Sequence, residues 1–239
     1  MLLSRPEEDY WANIGNFSIK NTKYQKLLGL TIDNKQTFKN NVTNLCSKAS
    51  QKLHALSRVS NYMTFAQRKT IMQAFIFSQF GYCPLVWMFH SRKLNNRINK
   101  IHERALRIVY QDEQSSFDAL LQRDESFTIH ERNIQTLGIE LYKVAWGLSP
   151  EIMKLVFPLN SRKTFVWEDI FQTFNIKTTT WGLETLAHIG PKIWSVIPKE
   201  MKLLPLSKYI ESIRKWKPIC PCRMCKLWVK GLCYVVSCN

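Results

Sequence analysis

Ser91-Arg92-Lys93-Leu94-Asn95-Asn96-Arg97-Ile98-Asn99-Lys100-Ile101-His102-Glu103-Arg104-Ala105-Leu106-Arg107-Ile108-Val109-Tyr110 reads as one amphipathic helix. Leu94, Ile98, Ile101, Ala105 and Ile108 recur at three- and four-residue steps, the spacing that lines one helix face. Arg97, Lys100, Arg104 and Arg107 each stand one residue before such an apolar position, about 100° further round the helix. A basic stripe is therefore expected to run beside a buried one.

The same pattern extends upstream. Val42, Leu45, Cys46, Ala49, Leu53, Leu56 and Val59 trace an apolar face over an earlier helix. Thr64 with Gln67 forms a capping-box signature for a second, with Ile71, Ala74, Phe75 and Ser78 on one side, and Gly81-Tyr82-Cys83-Pro84 closes it. From residue 39 to 110 the basic side chains are Lys39, Lys48, Lys52, Arg58, Arg68, Lys69, Arg92, Lys93, Arg97, Lys100, Arg104 and Arg107, against one acid, Glu103. Most charge runs are solvated faces, but this one has almost no compensating acid. A helical bundle with one uncompensated basic side points to phosphate contact.

The whole chain has 239 residues and a net charge of +16, with a pI near 9.6. Hydrophobic content of 45% supports a packed core and argues against disorder. The basic excess favours nucleic acid as partner ahead of an anionic membrane. Residues 70–91 lack Lys, Arg, Asp and Glu over about the length of a membrane span, but Gln73, Ser78, Gln79, Gly81, Pro84 and His90 interrupt them. A buried helix and loop is expected there, with no membrane partner. The first residues carry no apolar run long enough for a signal peptide, and an intracellular compartment, nuclear or cytoplasmic, is expected rather than secretion.

The chain divides by composition. Residues 1–38 read as strand and turn, with a turn at Gly15-Asn16 and a strand over 24–33 that contains Gly29, a sign of a bulge or close backbone approach. Residues 39–110 form the basic bundle. Residues 111–160 are net acidic, with a second capping box at Thr128 and Glu131, and are expected to pack on the bundle. Residues 161–239 are basic again, extended at first and helix-compatible around Gly190-Pro191, and end in a cysteine-rich tail. The expected fold is mainly α, with a short N-terminal β segment, a helical bundle and a smaller helical extension.

Chemistry is sparse. The acidic pairs Glu7-Glu8, Asp112-Glu113, Asp124-Glu125 and Glu168-Asp169 sit in polar, turn-like contexts and read as solvated loops rather than metal-holding carboxylates. There is no phosphate-cradling glycine loop, no nucleophile elbow and no sign of a small-molecule site. Ile101-His102-Glu103-Arg104 and Ile129-His130-Glu131-Arg132 repeat a tetrapeptide, but Leu106 and Ile134 stand where a zinc protease needs its second His. Both read as ordinary helix residues, with a phosphate contact by His102 as the alternative. Cys220, Cys222, Cys225 and Cys233 suit a tetrahedral zinc site in residue type and depart from the usual spacing, so zinc, free thiols and disulfides all remain open.

Six stretches, residues 26–33, 46–56, 80–87, 99–107, 189–194 and the cysteine-rich 220–226, together resemble non-LTR (LINE-type) retrotransposon reverse transcriptases. Lys26-Leu27-Leu28-Gly29-Leu30-Thr31-Ile32-Asp33 resembles the hairpin that follows the palm, and Cys46-Ser47-Lys48-Ala49-Ser50-Gln51-Lys52-Leu53-His54-Ala55-Leu56 the first thumb helix. Phe80-Gly81-Tyr82-Cys83-Pro84-Leu85-Val86-Trp87, Asn99-Lys100-Ile101-His102-Glu103-Arg104-Ala105-Leu106-Arg107 and Ile189-Gly190-Pro191-Lys192-Ile193-Trp194 continue the likeness, as does the tail Cys220-Pro221-Cys222-Arg223-Met224-Cys225-Lys226. The resemblance implies a parent RNA-directed DNA polymerase of a transposable element. Its palm would carry the Tyr-x-Asp-Asp aspartates and their Mg, and no such motif occurs in this sequence.

On that resemblance the chain is expected to be a C-terminal fragment, comprising the palm end with primer grip, the thumb domain and a C-terminal extension. It is then no enzyme on its own. Leu28, Gly29 and Leu30 would be primer-grip-like. Lys48, Lys52, Arg58, Arg68, Lys69, Arg92, Arg97, Lys100, Arg104 and Arg107 would hold an RNA or RNA–DNA template–primer by its backbone. No cofactor is expected apart from possible zinc at the tail. Two rival expectations stand beside this one. The chain could be a decayed element copy that aggregates through hydrophobics around Trp11, Phe17 and Leu27 to Leu30. It could also be a domesticated interaction module using its acidic middle segment.

Overall fold

Gly15, at φ +60°, and Asn16 turn strand β1 (Trp11–Ile14) back on β2 (Phe17–Lys20) as an antiparallel hairpin, with Ile14 opposite Phe17. The computed structural model describes residues 11–20, 22–161, 165, 169–174 and 185–218. A second hairpin pairs β3 (Tyr24–Leu27) with β4 (Leu30–Asp33), where the residue pattern suggested one continuous strand and the resemblance a hairpin. Its two-residue turn has Leu28 at φ +46° and Gly29 at φ +88°. Positive φ at both central positions is the signature of a type I′ turn, whose twist matches that of the strands it joins. The single-strand reading fails because Leu-Gly lacks the usual Asn-Gly or Asp-Gly label of such a turn.

Asp33 ties this hairpin to the bundle. Its carboxylate accepts the backbone N–H of Thr37 at 2.9 Å and of Phe38 at 2.8 Å, just before α1 (Lys39–Val59). Thr31 N–H also donates to Oδ1 of buried Asn41 on α1, at 3.2 Å. In α1, Val42, Cys46, Ala49, Leu53 and Leu56 are buried as expected, while Val59 at the C-terminal end is exposed. The Thr64–Gln67 capping box forms in both directions and opens α2 (Phe65–Ile71).

Beyond α2 the helix does not keep its period. Residues Met72–Ile76 make a π turn and Phe77–Phe80 a 3-10 turn, before the short α3 (Pro84–Trp87). A π turn holds an extra residue, so every face downstream slips round. Met72, Ile76, Phe77 and Phe80 become the buried set, and the expected face of Ala74, Phe75 and Ser78 is turned outward. Among the described residues no helix is long and apolar enough to cross a membrane.

Helix α4 (Arg92–Tyr110) packs on α1, and α5 (Phe117–Arg123) packs on α4. The chain resolves into two compact units, Met1–Glu125 and Ser126–Asn239. The acidic segment expected as one block over 111–160 is thus divided. Its first helix, α5, buries Leu120 and Leu121 in the first unit, and its second, α6 (Ile129–Ala145), founds the second.

In the second unit α6 is capped by the Thr128–Glu131 box and packs against α8 (Leu186–Val196) and α10 (Leu206–Lys215); the short α7 (Met153–Val156) and α9 (Lys199–Lys202) connect them. Leu137, Leu141 and Val144 of α6, Ile193 and Trp194 of α8 and Ile213 of α10 are all buried in this core. Three buried polar side chains of this core find partners. Tyr209 hydroxyl donates to Gly138 carbonyl at 3.0 Å, Tyr142 stacks on Tyr209 with ring centroids 4.2 Å apart, and Gln135 donates to the carbonyls of Arg214 and Trp216. Of the extended stretch expected over 161–180, the described part includes a bridge between Leu159 and Phe171.

Candidate nucleic-acid interface

Helix α4 presents two faces of opposite character. Ile98, Ile101, His102, Ala105, Leu106 and Val109 are buried, while Arg97, Lys100 and Arg104 are exposed about one-third to one-half turn away. Glu103, the one acid of the bundle, is bound to Arg107 at 2.8 Å, an i,i+4 pair. Arg107 also donates to the Glu113 carbonyl. It is half-buried and held to the protein, so the solvent-facing stripe consists of Arg97, Lys100 and Arg104.

Helix α1 adds Lys48, exposed, and one turn later Lys52, half-buried with its Nζ 5.8 Å from the centre of the Phe75 ring. Arg58 is exposed in the last turn of α1, where the negative end of the helix dipole favours a cation. Arg92 and Lys93 open α4 at its positive end with no acid in the first turn. That is an arrangement which a nearby phosphate would relieve.

Arg68 is not an interface residue. Its side chain is buried and its guanidinium is spent on three carbonyls: Val109 at 3.0 Å from Nε, and Ser60 at 3.2 Å and Met63 at 2.7 Å from Nη1. The capping position of α2 turns it inward beside the ends of α1 and α4. Lys69 is diverted in part, through an ion pair at 2.8 Å with Asp124. Asp124 itself, expected in a solvated loop, is buried and accepts Tyr110 hydroxyl at 2.9 Å. Burial together with that bond to Asp124 pushes the Tyr110 phenol up to about 12. His102, the alternative phosphate contact, is also buried, with its ring edge-on to Phe77 at 4.6 Å and to Phe117 at 5.3 Å.

The primer-grip-like residues separate by environment. Leu30 is buried, while Leu28 is 82% exposed at the tip of the hairpin. An αL conformation costs a leucine roughly 1–2 kcal/mol, so the tip is strained. Tyr82 hydroxyl donates to the Leu28 carbonyl at 2.5 Å and holds it. A Cβ added at Gly29 would lie 3.6 Å from the Tyr82 ring. Tyr82 was legible only as part of a helix-ending turn, and its partner lies 54 residues away in sequence, beyond the reach of any local signal.

Cys220, Cys222, Cys225 and Cys233 lie outside the described residues. Among the described residues no group of three or more His, Cys, Asp or Glu side chains could hold a metal ion. Cys46 and Cys83 are free thiols, one buried and one exposed. Burial pushes the Cys46 thiol up to about 11, with Arg97 opposing the rise. Iodoacetamide at pH 8 should therefore alkylate Cys83 well before Cys46, since the reacting species is the thiolate. Peptide mass mapping of a time course reads this out, and equal rates would mean that α1 is not packed as described.

Comparison of the chain with protein-family models, curated proteins and solved structures gave no match in any of the three.

Proposed function

We propose that the first unit binds an RNA–DNA template–primer by its sugar–phosphate backbone, as a thumb-like part of an RNA-directed DNA polymerase of the non-LTR retrotransposon class. The observation that carries this reading is the exposed stripe Arg97, Lys100 and Arg104 on a helix whose other face is core and whose one acid is already occupied. Cations spaced by helical turns on a rigid surface suit a regular phosphate backbone and need no base-edge readout. The Tyr82-held tip at Leu28 and Gly29 supports the comparison with a primer grip, where backbone approaches backbone closely. Polymerase chemistry is not assigned to these residues, because no Tyr-x-Asp-Asp carboxylates occur among them.

The test is fluorescence anisotropy of a labelled RNA–DNA hybrid at two salt concentrations, with the chain and with Arg97→Gln/Lys100→Gln/Arg104→Gln. Loss of three phosphate contacts should flatten the slope of log K against log salt by about 2 to 3. The triple variant should keep its circular dichroism, since the three side chains are exposed. Equal binding by parent and variant would overturn the reading. So would binding that does not respond to salt.

A second reading has its own observation. Trp11, Phe17, Tyr24, Leu27 and Leu28 are 58% to 82% exposed on the two hairpins. Apolar surface of that kind favours a chain that aggregates without a further partner, the decayed-copy reading. Poor solubility with no binding at low salt would place it ahead.

A further inference from the structure

The π turn over Met72–Ile76 places a large aromatic ring where a regular helix would have turned it toward the core. Phe75 is 54% exposed. Lys52 lies beside it, with Nζ 5.8 Å from the ring centre, and Lys48, exposed, stands one turn before Lys52 on α1. Nothing acidic competes for these charges in the bundle, where Glu103 is paired to Arg107.

We infer that Phe75 with Lys52 and Lys48 forms a stacking platform for an unpaired nucleotide, so that this surface favours a template–primer with a single-stranded extension over a blunt duplex. The inference rests on the nucleic-acid reading above and adds to it a substrate preference. A paired base has its faces covered by its neighbours and offers the ring nothing. An unpaired base offers a π-face, and the adjoining phosphates meet the two ammonium groups. Charge complementarity selects this occupant over an apolar peptide, which would leave Lys48 and Lys52 without a counter-charge. Base–aromatic stacking tolerates any sequence, so the preference is for strandedness, not for particular bases.

The experiment compares a blunt RNA–DNA hybrid with the same hybrid carrying a single-stranded extension of about ten nucleotides. It uses the full chain, Phe75→Ala, Phe75→Trp and the Arg97/Lys100/Arg104 triple variant. Phe75→Ala should weaken binding of the extended hybrid about tenfold and leave the blunt hybrid unchanged, and Phe75→Trp should restore the preference. Near-ultraviolet crosslinking of 5-iodouracil in the extension should map to Phe75. The triple variant should weaken both probes. If Phe75→Ala binds both probes like the parent, the platform is overturned while the phosphate reading stands. If the parent binds neither probe, both fall together. Circular dichroism separates either result from loss of fold, and a ring this exposed contributes little to the core.

Discussion

Arg68→Met should destabilise the first unit by about 4 kcal/mol, the largest loss expected from any one basic side chain of the bundle. The guanidinium is buried, and among the described residues no carboxylate pairs with it. A buried cation is costly unless charge and hydrogen bonds answer it. Both come from backbone. Val109 lies in the last turn of α4 and Ser60 caps the end of α1, so two helix C-termini, each a partial negative charge, converge on one side chain. Removing the side chain leaves those carbonyls buried with a donor missing, at roughly 1–3 kcal/mol each. Arg68→Lys should recover only part of the loss, since one ammonium cannot copy the bonds made by Nε and Nη1. Hydrogen exchange followed by mass spectrometry localises the effect, and amides at the ends of α1 and α4 should lose protection first. Arg104→Met, of the same charge change, should leave protection as it is. Unchanged protection in Arg68→Met would return Arg68 to the set of phosphate contacts.

Arg68 also shows where reading the sequence stops. Its charge and its place in a basic bundle are local facts, and they put it with Arg97 and Arg104. What separates them is contact with Val109, 41 residues on. Periodicity located α1 and α4, a capping box marked the start of α6, and both capping boxes form as their residues require, because these signals lie within one helix. It failed at the π turn, whose extra residue leaves no mark in composition and moves Phe75 from the expected core to the surface. It failed again at Leu28-Gly29, where a hairpin turn is held by Tyr82 rather than labelled by Asn or Asp. Asp124 was misjudged for the same reason as Arg68, since its partners Lys69 and Tyr110 come from two other helices. The stripe Arg97, Lys100 and Arg104 was legible because it needs only one helix and its core face.

Gly190→Ala should destabilise the second unit by about 2 kcal/mol, although alanine is the better helix former. Two effects oppose each other within α8. Replacing a helical glycine gains about 1 kcal/mol of propensity. Against that, the new Cβ would sit 2.6 Å from Cε1 and 3.0 Å from Cδ1 of Phe157, and 3.3 Å from Cδ2 of Leu141. Separations below 3 Å force a neighbour to move, and neither neighbour has room. Phe157 is fully buried with its ring edge-on to Phe171, which in turn meets Trp194, and Leu141 is fully buried on α6. Overpacking costs roughly 1–3 kcal/mol, and an approach of 2.6 Å puts this site at the upper end, so that about 2 kcal/mol of loss remains after propensity is subtracted. Pro191, next in sequence, already denies α8 one ladder hydrogen bond and leaves it less able to absorb a shift. The decisive comparison is a double-mutant cycle by urea denaturation. Phe157→Leu alone should destabilise by leaving a void, and combined with Gly190→Ala it should cost less than the sum, because the smaller side chain makes room for the methyl. Strict additivity, or a Gly190→Ala protein more stable than its parent, would mean that α8 does not approach Phe157 as closely as described.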